Sequence, residues 1–95
     1  MVAAMDPHIV SAIQKRLVLR VTYDGTERQV QPHAYGIDEK GIEVLYGWQT
    51  SGVEPGWRYM RIDRIRGVEP SDERFLPQES YERGNLVLMP VFARL

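Results

Sequence analysis

Residues 17–31, LVLRVTYDGTERQVQ, decide the fold of this 95-residue chain. Apolar side chains recur at every second position from Leu17 to Tyr23, which is the period of a half-buried strand. Asp24 and Gly25 follow, and an Asp-Gly pair between two such runs is a strong signal for a tight β-hairpin. We therefore expect one strand over 17–23 and a second over 26–31. Pro32 should end the second strand because proline has no N–H to donate to the ladder.

The length of the turn decides where Arg28 lies. A two-residue turn pairs Val21 with Arg28, so the guanidinium lies on the largely apolar face of the sheet. A three-residue turn moves Arg28 to the other face. The sequence leaves both arrangements open.

The residues before the hairpin have helical spacing. Asp6 can cap a first turn, Pro7 suits the first helical position, and apolar residues then recur at intervals of three and four. The last turn is basic, which suits the helix dipole. These features predict a helix over about 7–16.

Further strands are expected downstream of the hairpin, after a loop through Tyr35 and Gly36 and a tight turn at 38–41. We expect a third strand over 42–48, a hairpin loop over 50–56 and a fourth strand over 57–62. Residues 64–70 should continue the fourth strand or bend it, and one helical turn is expected over 71–74. After an irregular or briefly helical stretch over 77–85, we expect a last strand over 86–92.

Together these elements predict a mainly β fold with one N-terminal helix. The sheet should be small, antiparallel and strongly bent, or a partly open β-barrel. One domain is expected over 1–95, with the barrel over about 17–66 and a C-terminal extension over 67–95.

Composition excludes several classes of protein. The chain has 12 basic and 13 acidic residues and a formal net charge of −1, so it is no polycation that coats nucleic acid, and any anion site must be local. The absence of cysteine excludes a disulfide scaffold, a thiolate metal site and a cysteine nucleophile. We recognise no signal peptide and no apolar stretch of about 20 residues, so we expect a cytoplasmic protein without membrane association.

The usual catalytic motifs are also missing. The sequence contains no glycine-rich phosphate loop, no His-Glu-x-x-His motif and no nucleophile elbow. With two histidines, a metal site would need carboxylates, and these are scattered along the chain. We expect no catalytic residues, no metal and no cofactor.

The basic residues are concentrated in one segment. Ten of the 12 are arginines, and residues 57–66 combine four of them with Trp57 and Tyr59. Guanidinium groups bind phosphates and aromatic rings stack on bases, so this composition fits a nucleic-acid or nucleotide site. The alternative is that strand alternation separates Arg58 from Arg61 and leaves both as ordinary surface cations.

The order of these motifs resembles the WYL domain family over about residues 9–75. The matching parts are the strand 17–23, the stretch Arg28-Gln-Val-Gln-Pro32 with His33, Val44-Leu45, and the arginine-rich stretch 57–65, which is the most specific. The sequence departs from the family pattern in two places. The three residues that name the family fall at 43–45, where only Leu45 is kept, and Met60 replaces a phenylalanine.

The resemblance implies an Sm-like, SH3-type β-barrel packed on the helix. It also implies a non-enzymatic ligand-sensing module that binds single-stranded nucleic acid, a nucleotide or a similar anion in a basic groove. The basic positions of the family match Arg28, Arg58, Arg61 and Arg64, and the neighbouring His33 and Trp57 could line the same site. Arg64 has an alternative role, a buried bridge to Asp63 or to a carbonyl.

The resemblance also bears on partners. WYL domains usually follow a DNA-binding domain in bacterial transcription regulators, and this chain has no room for one. A separate DNA-binding or regulatory protein is therefore an expected partner. A second hypothesis is a protein–protein interaction or homo-oligomerisation module, in which the apolar stretch 86–92 adds a strand to a neighbour or closes its own barrel.

Overall fold

The computed structural model describes residues 5–52, 54–82 and 86–95. In order along the chain, the elements are α1 (Pro7–Lys15), β1 (Leu17–Tyr23), β2 (Thr26–Ile37), β3 (Glu43–Ser51), β4 (Gly56–Arg61), a 3-10 turn (Ile62–Arg64), β5 (Ile65–Arg74) and β6 (Val91–Arg94). The strands form one antiparallel sheet in the order β4-β3-β2-β1-β5, and β6 pairs with β2. No pairing joins β4 to β5 among the described residues, so the sheet is not closed. The expected mainly β class with one N-terminal helix is confirmed.

The Asp24-Gly25 turn has the predicted two-residue form. Both residues have positive φ, 50° and 78°, as a type I′ hairpin turn requires. The register therefore pairs Val21 with Arg28. We call the face that carries Val21 and packs on α1 the inner face of the sheet, and the opposite face the outer face. Arg28 lies on the inner face.

The main core lies between the inner face and α1. Its fully or almost fully buried members are Ile9, Ala12, Ile13, Leu19, Val21, Val30, Tyr35, Leu45 and Met60. The helix begins after Asp6, whose carboxylate accepts a hydrogen bond from the His8 N–H at 2.9 Å, and ends at Arg16, which has a left-handed φ of 57°. The predicted helix is thus confirmed to within one residue.

Strand β2 is longer than the sequence predicts, and its pairing with β3 is irregular. It continues through Pro32, and its register on β3 shifts between Pro32 and Ala34. This bulge accommodates a residue that lacks an N–H. The predicted strand end at Pro32 and the predicted loop through Tyr35 and Gly36 are therefore wrong. The first half of β2 pairs with β1 and the second half with β6.

The C-terminal third of the chain differs most from the expectations. Residues 71–74 continue β5 and form no helical turn, because Arg74 pairs with Leu17 of β1 and the Ser71 hydroxyl donates to the Val18 carbonyl. The expected last strand is shorter and later: Val91–Arg94 pairs with β2 of the same chain. Residues 77–82 are irregular as expected, and 83–85 lie outside the described residues.

The described part of the chain shows two further features relevant to function. None of its helices has the length and hydrophobicity that a membrane crossing requires. It also contains no group of three or more metal-ligating side chains.

Candidate anion-binding site

The inner face carries a polar cluster beside its apolar core. Its side chains come from three neighbouring strands, with Arg28 on β2, Gln49 on β3 and Arg58 on β4. The register pairs Val30 with Gln49, and Gly47 with Arg58. Because side chains alternate between faces, this pairing places all three polar groups on the inner face at one end of the sheet.

Hydrogen bonds connect the two arginines of this cluster. The Arg28 Nη1 donates to the Oε1 of Gln49 at 3.2 Å. The Gln49 Nε2 donates to the backbone carbonyl of Glu54 at 3.0 Å, and the Arg58 Nη2 donates to the same oxygen at 2.6 Å. Arg58 also donates to the Trp57 carbonyl at 2.9 Å. Gln49 is fully buried and therefore acts as a fixed link between the two cations.

Neither guanidinium of the cluster has a carboxylate partner within 4.0 Å in the described chain, where the arginine ion pairs are Arg20–Glu69 and Arg61–Asp63. The Nε of Arg28 is buried and has no hydrogen-bond partner among the described residues. Two nearby cations without a counter-charge repel each other, and an unpaired buried donor costs free energy. An anion placed between them would relieve both costs.

Two neighbours shape the surroundings of Arg28. The Tyr23 ring centroid lies 5.2 Å from the Arg28 Cζ, which is within the range of a cation–π interaction. Gly52 has a φ of 117°, and a Cβ at this position would lie 2.8 Å from the Arg28 Cγ. Glycine therefore lets the backbone after β3 pass close to Arg28, where a larger residue would clash.

His33, a predicted site residue, lies on the outer face. It is fully buried, its Nδ1 donates to the Gln31 carbonyl at 2.8 Å, and its Nε2 accepts from the Gln78 N–H at 3.0 Å. Burial lowers the pKa of His33, so the neutral ring with its proton on Nδ1 is favoured. Both ring nitrogens therefore make hydrogen bonds within the chain, and neither is free to bind a ligand.

Trp57, a second predicted site residue, also lies on the outer face. Its ring stacks on Tyr46 with centroids 4.8 Å apart and an interplanar angle of 3°, and its Nε1 donates to the Ser80 hydroxyl at 3.1 Å. It belongs to an aromatic cluster on this face that comprises His33, Tyr46, Trp48, Trp57, Phe75 and Tyr81. The structure thus separates His33 and Trp57 from Arg28 and Arg58.

Arg61 and Arg64, the remaining predicted site residues, lie apart from the cluster. Arg61 is on the outer face and donates two hydrogen bonds to Asp63, from Nε at 3.1 Å and from Nη2 at 2.8 Å. These bonds hold the pKa of the Asp63 carboxyl below its usual value. Arg64 ends the 3-10 turn and is exposed, so the alternative of a buried Arg64 bridge is wrong.

The sequence interpretation missed Gln49, which joins the two arginines. One signal was available: Gln49 follows Leu45 and Gly47 at every second position of β3, so a polar side chain falls on the face that carries the core. Without the register of three strands, that signal does not show which residues Gln49 meets.

No family model, no curated protein and no solved structure matches this chain. The resemblance to the WYL family therefore stays a prediction. The case for a site at Arg28, Gln49 and Arg58 rests on their geometry and charge.

Proposed function

We propose that this chain is a non-enzymatic binding module of the WYL type, which recognises a nucleotide, single-stranded nucleic acid or a similar anion through Arg28 and Arg58. The observation that carries the proposal is the pair of guanidinium groups joined by Gln49 with no described carboxylate partner. In this role the protein senses an anionic effector in the cytoplasm and acts on a separate DNA-binding or regulatory protein.

Phosphate chemistry suits the donors of this cluster. Gln49 and Arg58 already direct two N–H groups at one oxygen, the neutral carbonyl of Glu54. A phosphate oxygen in a similar position would accept charge-assisted hydrogen bonds, which are roughly twice as strong as neutral ones.

The charge of the whole chain limits the size of the ligand. Because the net charge is −1, long-range attraction to a polyanion is weak, and only the local pair of cations favours binding. We therefore expect one phosphate group, or a short stretch of a single strand, to occupy the site. Affinity should fall as the salt concentration rises.

Fluorescence anisotropy with short single-stranded DNA and RNA tests the proposal, with unlabelled nucleotides as competitors. Low salt and near-physiological salt are compared. We expect saturable, salt-sensitive binding that weakens by at least about tenfold in the Arg28→Ala, Arg58→Ala double variant, because each contact contributes about 1–3 kcal/mol.

The matched control is Arg66→Ala, which removes the same charge from an exposed position on β5. It should change the affinity by less than about twofold. Absence of binding at low salt, or an equal loss in the control and in a single Arg58→Ala variant, would show that Arg28 and Arg58 do not form the site.

A second candidate function is protein–protein interaction, and two observations favour it. Strands β4 and β5 each pair on one side only in the described chain, so both present an open edge. Val87 and Met89 are 56% and 82% exposed. Multi-angle light scattering over a range of concentrations tests this candidate: a defined dimer or ring supports it, and a strict monomer at high concentration contradicts self-association.

A further inference from the structure

Three basic side chains from two distant parts of the sequence lie together where α1 passes into β1. Lys15 and Arg16 come from the end of the helix, and Arg74 comes from the end of β5. Together with Phe75 and Leu76 they line a cavity of about 250 Å³. None of the three cations forms an ion pair in the described part of the chain.

The backbone holds this group of cations together. Leu17 pairs with Arg74 across β1 and β5, and the Phe75 N–H donates to the Arg16 carbonyl at 2.9 Å. The group lies at the start of β1, whereas Val21, the partner of Arg28, lies four residues further along the strand. Because each residue of a strand advances roughly 3.3 Å, these four residues separate the group of Lys15, Arg16 and Arg74 from the Arg28 cluster along the strand.

The helix dipole explains only part of this arrangement. Lys15 and Arg16 are favourably placed at a helix C-terminus, where cations interact with the unpaired carbonyls. The dipole does not account for Arg74, which belongs to a strand. It also does not account for Leu76, a residue that is 81% exposed beside the cations. An apolar side chain next to three unpaired cations fits a partner that supplies both negative charge and apolar surface.

The composition of the surface decides between the partners of this kind. Nucleic acid would match the cations but offers no aliphatic surface to Leu76, and an anionic membrane is usually bound by a larger cluster of cations than these three. A short segment needs to match only the local surface. We propose that Lys15, Arg16, Arg74 and Leu76 form a docking surface for an acidic segment of a partner protein that also carries apolar side chains. This surface is independent of the proposed anion site.

The test uses the full chain and a fluorescein-labelled peptide of alternating glutamate and leucine. A glutamate–serine peptide and a lysine–leucine peptide serve as comparisons. We expect saturable binding of the glutamate–leucine peptide and at least about tenfold weaker binding of both comparisons. Arg74→Ala and Leu76→Ser should each weaken binding by about fivefold or more, whereas Arg66→Ala should leave it within about twofold.

Further arms of the experiment separate this proposal from its competitors. Arg74 and Leu76 are exposed, so both variants should fold, and circular dichroism checks that they do. If Arg58→Ala abolishes peptide binding and Arg74→Ala does not, the peptide occupies the anion site and the proposal is wrong. It is also overturned if the two glutamate peptides bind equally. Arg74-dependent binding of single-stranded DNA or phosphatidylserine vesicles that is tighter than binding of the peptide would overturn it as well.

Discussion

His33 and Trp57 on the outer face and Arg28 and Arg58 on the inner face all place polar groups against apolar ones, yet the chain satisfies these four side chains to different degrees. Arg94 on the outer face is an exception there, because its Nε is buried without a described partner. On the outer face, His33 uses both ring nitrogens, and Trp57 donates its indole N–H to Ser80. On the inner face, Arg28 keeps a buried Nε without a described partner, and neither Arg28 nor Arg58 meets a carboxylate.

This difference separates structural polar groups from candidates for ligand binding. A buried polar group costs free energy unless it is hydrogen-bonded. His33 has met that requirement within the chain, so it stabilises the fold without a ligand. Arg28 has met it only in part, so an anion would complete its interactions. Residues that fit a phosphate site equally well by type therefore differ in how far the chain itself satisfies their polar groups.

Removal of the His33 side chain should have the largest effect on stability. His33→Ala deletes a ring that packs against Trp57 and Phe75, and it removes the hydrogen bonds that the ring makes with the Gln78 N–H and the Gln31 carbonyl. We expect the free energy of unfolding to fall by about 3–5 kcal/mol. Urea denaturation followed by tryptophan fluorescence measures this loss.

The exposed His8 supplies the control for that measurement, because His8→Ala should leave the urea midpoint close to that of the parent chain. The folded fraction of His33→Ala, studied at low temperature, should still bind the anion. A loss of binding by folded His33→Ala would place His33 in the ligand site and remove the distinction between the faces.

Substitution of Arg28 should produce the opposite pattern. Arg28→Met keeps an apolar stem of similar length and removes both the charge and the unpaired Nε, but it also leaves the Gln49 Oε1 without its donor. Because these changes oppose each other, we expect the free energy of unfolding to change by less than about 1 kcal/mol. Anion affinity should fall by at least about tenfold.

Thermal unfolding and anisotropy on one sample of Arg28→Met give both values. Arg66→Met, at an exposed position, serves as the control for the change of charge and side-chain type. A loss of stability comparable to that of His33→Ala would show that Arg28 is a structural group.

The pH dependence of stability tests the structural role of His33 in a second way, and we expect a smaller change in the free energy of unfolding. Burial holds the pKa of His33 below its ordinary value of 6.5 in the folded chain. Between the lowered pKa and 6.5, the unfolded state therefore binds more protons than the folded state. The contribution of the neutral ring is fully present above 6.5, and it is lost progressively as the pH falls below that value.

Nuclear magnetic resonance titration of the two imidazoles, with urea denaturation from about pH 8 to pH 5, checks this prediction. His33 should titrate below 6.5, and the urea midpoint should fall on the acidic side of that value. A His33 titration at or above 6.5 would mean that the folded protein accepts the charged ring, and the assignment of its proton to Nδ1 alone would be wrong.

The predictable parts of the fold are those that depend on local sequence. The Asp24-Gly25 turn and the period of β1 correctly indicate the hairpin, and the cap at Asp6 correctly indicates the start of α1. The bulge after Pro32 and the extension of β5 to Arg74 depend on pairing with residues far away in the sequence. A local pattern therefore did not reveal them.

The candidate site follows the same rule. Residue type indicated Arg28 and Arg58 as candidate site residues, which stays a prediction, but their connection depends on Gln49 and on the Glu54 carbonyl. The position of His33 depends on a C-terminal segment that crosses the outer face and supplies the Gln78 N–H. Nothing in the residues around His33 indicates that this segment would cover it.

Substitution of Arg61 tests how far the anion site extends, and we expect its effect on anion affinity to be the smallest of the predicted effects. It lies in the same arginine-rich segment as Arg58, but on the outer face and paired with Asp63. An exposed cation whose charge is already matched offers little to a second anion, so Arg61→Ala should change the affinity by less than about twofold. Asp63→Asn is the companion variant, because it frees Arg61 without removing it.

If Arg61→Ala weakens binding as much as Arg58→Ala does, the ligand must pass around the open edge of β4 and contact both faces. The contrast between Arg61, which is paired with a carboxylate, and Arg58, which has no such partner in the described chain, would then fail at that edge.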